Sequence, residues 1–275
     1  MTDQGEPLSR IADALEQMVP SLRQDIDWAT HPGYAWHHGR VRAVPQLDAL
    51  PLERLKGIDR QKQAMAENIR RHAQGFAAHD MLLWGTRGTG KSALLRASVA
   101  AAAEEFPDSI ALIQIDSASL SELPDLFASI AQVRRQFVVY LDDLAFDHAD
   151  DAMLRDLRSA LEGGLAPRPT NIRLAVTSNH RAILARDDHD QAGPLNQRDW
   201  MDDSLALADR FGLRLGFHPC DQNDYLAIVA AHAEGHGLSF DHADAIEWAA
   251  QRGQRSGRSA WQFVVELAGR AGKAI

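Results

Sequence analysis

A single cysteine, Cys220, stands in 275 residues, which excludes an intramolecular disulfide and fits a reducing compartment. It lies beside Pro219 with no obvious histidine partner, so it reads as structural rather than nucleophilic. No run approaches the roughly 18 uninterrupted apolar residues of a membrane helix, so no membrane span is expected. The opening MTDQGEPLSR has no basic stretch leading into an apolar one; no signal peptide is expected, and the expected location is cytoplasmic. Basic residues are outnumbered, 29 Lys and Arg against 38 Asp and Glu, for a net charge of −9. That balance argues against broad coating of a nucleic acid, although it leaves room for a local basic patch. Internal repeats and low-complexity tracts are absent. The 45% hydrophobic and 24% charged content excludes disorder throughout, and the length suits one large domain plus a smaller one.

What is present centres on Met81 to Ala93, MLLWGTRGTGKSA. A short apolar run opens into Gly85-Thr86-Arg87-Gly88-Thr89-Gly90-Lys91-Ser92, and an Ala/Leu-rich helical run follows. This is the pattern G-x-x-x-x-G-K-[ST] between a strand and a helix, as a phosphate-binding loop requires. Glycines let backbone N–H groups approach phosphate oxygens, and the helix N-terminus adds partial positive charge. Lys91 is placed for the β- and γ-phosphates and the Ser92 hydroxyl for Mg²⁺. By composition, a chance match in a chain of this length is on the order of 1%.

Along the chain, Leu8, Ile11, Leu15, Met18, Val19, Leu22 and Ile26 form one face of an amphipathic helix from Leu8 to Trp28, broken or kinked at Pro20. It packs on its own domain or docks on a partner. The stretch His31 to Pro51 reads as loop, and its His31, His37 and His38 as surface histidines rather than metal ligands. A helix is expected from Leu55 to Gln74, with Gly57 and Ile58 at its start, and another from Ala93 to Glu105. Strands are expected at Ile110 to Ile115, Phe137 to Leu141, Ile172 to Val176 and Leu213 to Phe217, besides the one entering the phosphate loop. Ser119 or Ser121 is expected to cap a helix after the second strand, and Asp150 to Glu162 reads as helix before Gly163-Gly164. Arg186 to Asp203 is acidic and aperiodic, so Asp187, Asp188, His189 and Asp190 read as a solvated loop rather than a metal cluster. Helices are expected at Asp221 to Glu234, Asp241 to Gln251 and Ser259 to Lys273. Strands alternating with helices predict an α/β fold, a five-stranded parallel sheet sandwiched by helices, and the trailing helices predict a small lid domain. The expected domains are 1–50, an N-terminal helical and loop segment; 51–219, the nucleotide-binding α/β domain; and 220–275, the helical lid.

Ligands of a parallel sheet sit beyond the carboxyl ends of its strands. The polar residues at those ends are Asp142, Asp143 and Asn179. Asp142, after the apolar run FVVYL, suits the metal opposite Ser92. Asp143 suits orienting or deprotonating the attacking water, and Asn179 suits a hydrogen bond to that water or to the γ-phosphate.

The order Gly57-Ile58-Asp59, GTRGTGKS, VVYLDD, VTSN, LADRFG and RSGRSAWQF resembles an AAA+ ATPase. The chain is most similar to a bacterial AAA+ family known as a domain of unknown function, whose members carry stretches similar to LLWGTRGTGKS, ALEGGLAPRPTNI, LADRFGL and DQNDYLAIV. The likeness runs from about Leu55 to Gly269. It implies that Gly57 and Ile58 border the adenine of ATP, that the loop from Gly85 through Ala93 binds its phosphates, and that Ser92 and Asp142 hold Mg²⁺. It further implies that Asn179 acts as sensor 1 and that Arg210 is an arginine finger serving a neighbouring subunit of a homo-oligomer. Arg258 in the lid would be sensor 2, a role for which Arg255 competes. AAA+ proteins usually carry Asp-Glu where this chain has Asp142-Asp143. An aspartate is shorter by one C–C bond, about 1.5 Å, and misplacement on that scale costs roughly 10²-fold in rate.

The leading expectation is an oligomeric ATPase that remodels an unknown macromolecular client. A weakly hydrolysing nucleotide switch or scaffold is the first alternative, favoured by Asp143. A DNA-linked, initiator- or helicase-loader-like ATPase is the second, which the acidic charge does not support. A small-molecule kinase fits least, because no acceptor site is evident.

Overall fold

The apolar runs become strands because their residues have an apolar layer on either side. The computed structural model describes residues 26–144, 151–162, 167–179 and 206–275. The helix expected from Leu8, as far as residue 25, and the stretch Arg186 to Asp203 with Asp187, Asp188, His189 and Asp190 lie outside the described residues. In the strands β3 (Met81–Gly85), β4 (Ile110–Ile115), β5 (Gln136–Leu141), β6 (Ile172–Ser178) and β7 (Leu213–Phe217), alternate residues enter opposite layers. Leu82, Phe137, Val139 and Leu141 join one cluster, and Met81, Leu83, Val138 and Tyr140 the other. A parallel sheet covered on both faces reads as a continuous apolar run for this reason. The second layer is supplied by α1 (Asp59–Ala73) and α2 (Lys91–Glu105), and the first by α3 (Leu123–Ile130) and α4 (Asp151–Glu162).

The sheet has seven strands among the described residues, not five, in the order β2-β1-β4-β5-β6-β3-β7. The five expected strands run parallel. The additional pair corrects the reading of His31 to Pro51 as loop: β1 (Gly33–His37) and β2 (Arg40–Val44) form an antiparallel hairpin whose first strand extends the sheet beside β4. His38 and Gly39 turn it at φ 47° and 71°, the sign a two-residue type I′ turn needs at both central positions. Tyr34 and Trp36 are buried, and the Trp36 indole N–H donates to Glu122 Oε2 at 2.6 Å. The buried Arg135 guanidinium anchors the approach to β1 by donating to the carbonyls of Trp28, Ala29 and His31 at 2.8–3.0 Å. His37 pairs with Asp116, which directly follows the adjacent strand β4.

Smaller differences follow local chemistry. Asp116, not Ser119 or Ser121, caps the turn after β4, accepting from the Ser119 amide at 3.0 Å. β6 runs on to Ser178. The trailing helices are α5 (Gln222–Gly235), α6 (His242–Gln251) and α7 (Gly257–Arg270), and they share their own apolar cluster around Tyr225, Val229 and Phe263. Helix α7 begins two residues before the expected Ser259, because Ser256 and Ser259 form a reciprocal capping box.

Helix α1 is fixed to the sheet partly through His72, which is buried and donates from Nε2 to Phe137 O at 3.1 Å. Burial lowers its pKa from 6.5 to about 4. Above pH 6.5 both folded and unfolded chains hold it neutral; between 6.5 and 4 only the unfolded chain takes up the proton. Stability linked to His72 is therefore lost as pH falls through this window, by about 3 kcal/mol in full. His72→Gln keeps a donor but does not titrate. Urea unfolding at a series of pH values is expected to show wild type losing about 3 kcal/mol more than this variant between pH 6.5 and 4; parallel curves would contradict the assignment.

Candidate nucleotide-binding cleft

Strand register decides what meets at the sheet's carboxyl edge. Trp84 lies opposite Ser178, Gly85 opposite Phe217, and Leu141 opposite Val176. The residues that follow, Asp142 after β5 and Thr177 near the end of β6, therefore emerge side by side next to the loop after β3. The loop itself needs its glycines. Gly85 has φ 134°, and a Cβ there would stand 2.0 Å from Phe217 O. Gly88, at φ 76°, leaves room for Ser256 of the helical block, which a Cβ would meet at 3.0 Å. Gly90 caps α2 in the left-handed region.

Lys91 is buried, and its Nζ donates to Gly85 O at 2.8 Å, Thr86 O at 2.7 Å and Asn179 Oδ1 at 3.0 Å. Burial draws its pKa down, against the pull of the Asp143 and Asp142 charges. The Ser92 hydroxyl donates to Asp142 Oδ1 at 2.9 Å, and the Thr177 hydroxyl donates to the same oxygen at 2.7 Å. Burial pushes the Asp142 carboxyl up, but the neighbouring hydroxyls of Tyr140, Thr177 and Ser92 outweigh it and hold the group below the usual carboxylate range. Asp142 is thus ionised at neutral pH. A hydroxyl and a carboxylate oxygen in contact form the hard oxygen pair that Mg²⁺ takes, so the residues present fit the ion. The Asp143 amide donates to Thr177 Oγ1 at 2.8 Å, and its carboxylate accepts from Asn179 and from Arg87. Among the described residues, the amides of Gly88 and Gly90 donate to nothing, and the Thr86 hydroxyl is buried without a partner. A helix N-terminus with spare amides is a ready anion site.

These groups open onto one cleft of about 900 Å³. Gly57, Ile58, Arg87 to Ala93, Asp142, Asp143, Asn179 and Arg258 all line it. Gly85 and Thr86 lie beneath it and receive Lys91. Arg255 is not among its lining residues, so the geometry favours Arg258 of the two. Arg210 is not in the cleft either; its guanidinium is tied to Glu162 and to Ala206 O. Sequence reasoning missed Thr177, although it stands in the quoted VTSN at a strand's polar end. It also missed three residues that line the cleft: Arg96, one turn beyond Ser92 on α2, and His232 and Trp261, which carry no local signal because they reach it through packing between elements distant in sequence. The Gly257 amide donates to Gly88 O at 2.8 Å, so the helical block touches the phosphate loop directly.

The family model described as "Protein of unknown function (DUF815)" matches residues 29–271. A comparison with curated proteins gives no match. Among solved structures, the chain is similar to the Thermotoga maritima RuvB Holliday junction branch migration motor, at 17% identity over 82% of this chain and 68% of that chain with a TM-score of 0.53. It is similar to the Aeropyrum pernix ORC1 protein in complex with DNA, at 17% identity over 79% and 61% with a TM-score of 0.55. Domain III of the Thermotoga maritima replication initiation protein DnaA matches at 14% identity over 82% and 91%, with a TM-score of 0.54. At such identities the likeness is one of fold, and the fold shared by these three is that of AAA+ ATPases. This chain, with its AAA+ ATPase-like fold, belongs to the protein family of unknown function that its sequence matches from residue 29 to residue 271.

Proposed function

We propose that the chain binds ATP with Mg²⁺ and hydrolyses it, and that it does so in a homo-oligomer acting on a macromolecular client. The observation that supports this most is the convergence of Lys91, Ser92, Asp142, Asp143, Asn179 and Arg258 on one cleft, although they come from well-separated parts of the chain. In this reading residues 51–219 carry the nucleotide and 220–275 form a helical lid over it. Lys91 and the spare loop amides bind the phosphates, with Gly57 and Ile58 beside the base. Ser92 and Asp142 are the residues that would hold Mg²⁺, which when bound neutralises charge on the phosphates. Asp143 takes a proton from water as the water oxygen bonds to the γ-phosphorus; the bond from phosphorus to the bridging oxygen breaks, leaving ADP and phosphate. Asn179 orients that water, and Arg258 adds positive charge from the lid. Arg210, held outside its own cleft, is suited to a neighbour's.

Phosphate release by the wild-type protein is expected to exceed that of Lys91→Ala clearly and to stop when EDTA removes the metal. Turnover equal to that of Lys91→Ala, with ATP still bound by wild type, would replace the enzyme with a nucleotide switch.

Arg210→Ala is expected to leave ATP affinity within about threefold and to lower turnover roughly 10³-fold. Mixing it with Lys91→Ala is expected to recover measurable activity, because one variant keeps an intact cleft and the other an intact finger. A mixture no more active than its parts would count against a shared site.

A further inference from the structure

Arg87 occupies a position in the phosphate loop where the motif asks for no particular side chain. Its guanidinium nevertheless turns to Asp143, donating to Oδ2 at 3.1 Å. Asp143 is held from three further directions. Its backbone sits at φ 54°, a conformation that costs a non-glycine residue on the order of 1–3 kcal/mol and persists where the surroundings enforce it. Its amide is fixed on Thr177 Oγ1 at 2.8 Å, and its other carboxylate oxygen accepts from Asn179. The Asn179 oxygen in turn accepts from Lys91. A chain of contacts thus runs from Lys91 through Asn179 and Asp143 to Arg87, and both of its ends lie on the phosphate loop.

Stability does not account for the Arg87 contact. The two side chains are 73% and 48% exposed, and an ion pair so open to water contributes at most about 1 kcal/mol. Orientation does account for it. An aspartate carboxylate stands one methylene from the backbone, so its place is set by φ and by what grips its oxygens. Arg87 joins that carboxylate to the loop whose amides and lysine take the phosphates.

We propose that Arg87 is a positioning residue for Asp143, holding the carboxylate against the phosphate loop so that its free lone pairs face the water to be deprotonated. The inference rests on the ATPase reading above and adds a role that the phosphate-loop motif does not assign. It predicts that Arg87 acts on the chemical step through Asp143 rather than on nucleotide affinity.

The test is steady-state phosphate release by wild type, Arg87→Ala, Arg87→Lys, Asp143→Glu and the double variant Arg87→Ala/Asp143→Glu, each checked for an unchanged melting transition. Arg87→Ala is expected to lower kcat roughly 10²-fold, the scale of a 1 Å misplacement, while KM stays within about threefold. Arg87→Lys is expected to recover part of kcat, since a lysine keeps the charge but not the planar fork. In the Asp143→Glu background, where the carboxylate reaches about 1.5 Å further on its own, removing Arg87 is expected to cost less than about fivefold. An equal loss in both backgrounds would overturn the proposal, as would a loss carried by KM, which would make Arg87 a phosphate ligand. Absence of wild-type turnover would overturn the ATPase reading together with this one; turnover with an uncoupled Arg87 overturns this one alone.

Discussion

The arrangement depends on the register between β5, β6 and β3. Leu141 opposite Val176 and Leu83 opposite Thr177 set Asp142 against the Thr177 hydroxyl and put both beside the loop that leaves β3. A slip of one residue would send every side chain of a strand to the other face. Thr177 would then enter an apolar layer and leave Asp142 short of a hydrogen-bond donor. The register is itself held by burial, since Val138 and Tyr140 must stay in one layer and Phe137, Val139 and Leu141 in the other. Packing in the sheet and polar chemistry at its edge are thus one constraint seen at two places.

The helical block adds the second half of the cleft. Ser256 sits over Gly88, the Gly257 amide bonds to Gly88 O, and Arg258 follows at once. The capping box that starts α7 at Gly257 is what brings the arginine to the loop. Burial of Lys91 beneath this junction explains its lowered pKa and its bonds to the loop's own carbonyls. Phosphate oxygens binding at Lys91 would compete with those carbonyls and with Asn179, so they would also act on the contacts that fix Asp143.

Much of this was legible in the chain itself. Buried parallel strands announce themselves as apolar runs of five or six residues, and the loop after β3 carries a motif whose spacing is set by phosphate geometry. Asp221 and Asp241 cap α5 and α6 as their positions suggest. The hairpin was not legible, because His38-Gly39 is a weak turn signal and the proline, glycines and histidines around Tyr34 and Trp36 mask the alternation. β1 is a strand through its pairing with β2 on one side and β4 on the other. Arg258 and Arg255 were equivalent in sequence, and helix α7's docking separates them. Arg87 was legible as part of the loop but not as a partner of Asp143, because the two stand 56 positions apart in the chain and only the folded sheet edge joins them.

The central claim is that Lys91, Ser92 and Asp142 serve one Mg²⁺-nucleotide site. A crystal structure with Mg²⁺ and a non-hydrolysable ATP analogue measures this most directly. The account predicts phosphates on the Gly88 to Lys91 stretch, Lys91 Nζ moved from the carbonyls of Gly85 and Thr86 to phosphate oxygen, and the metal at Ser92 and Asp142. Nucleotide bound elsewhere, or bound here with Lys91 still on its own loop and no metal near Asp142, would contradict it.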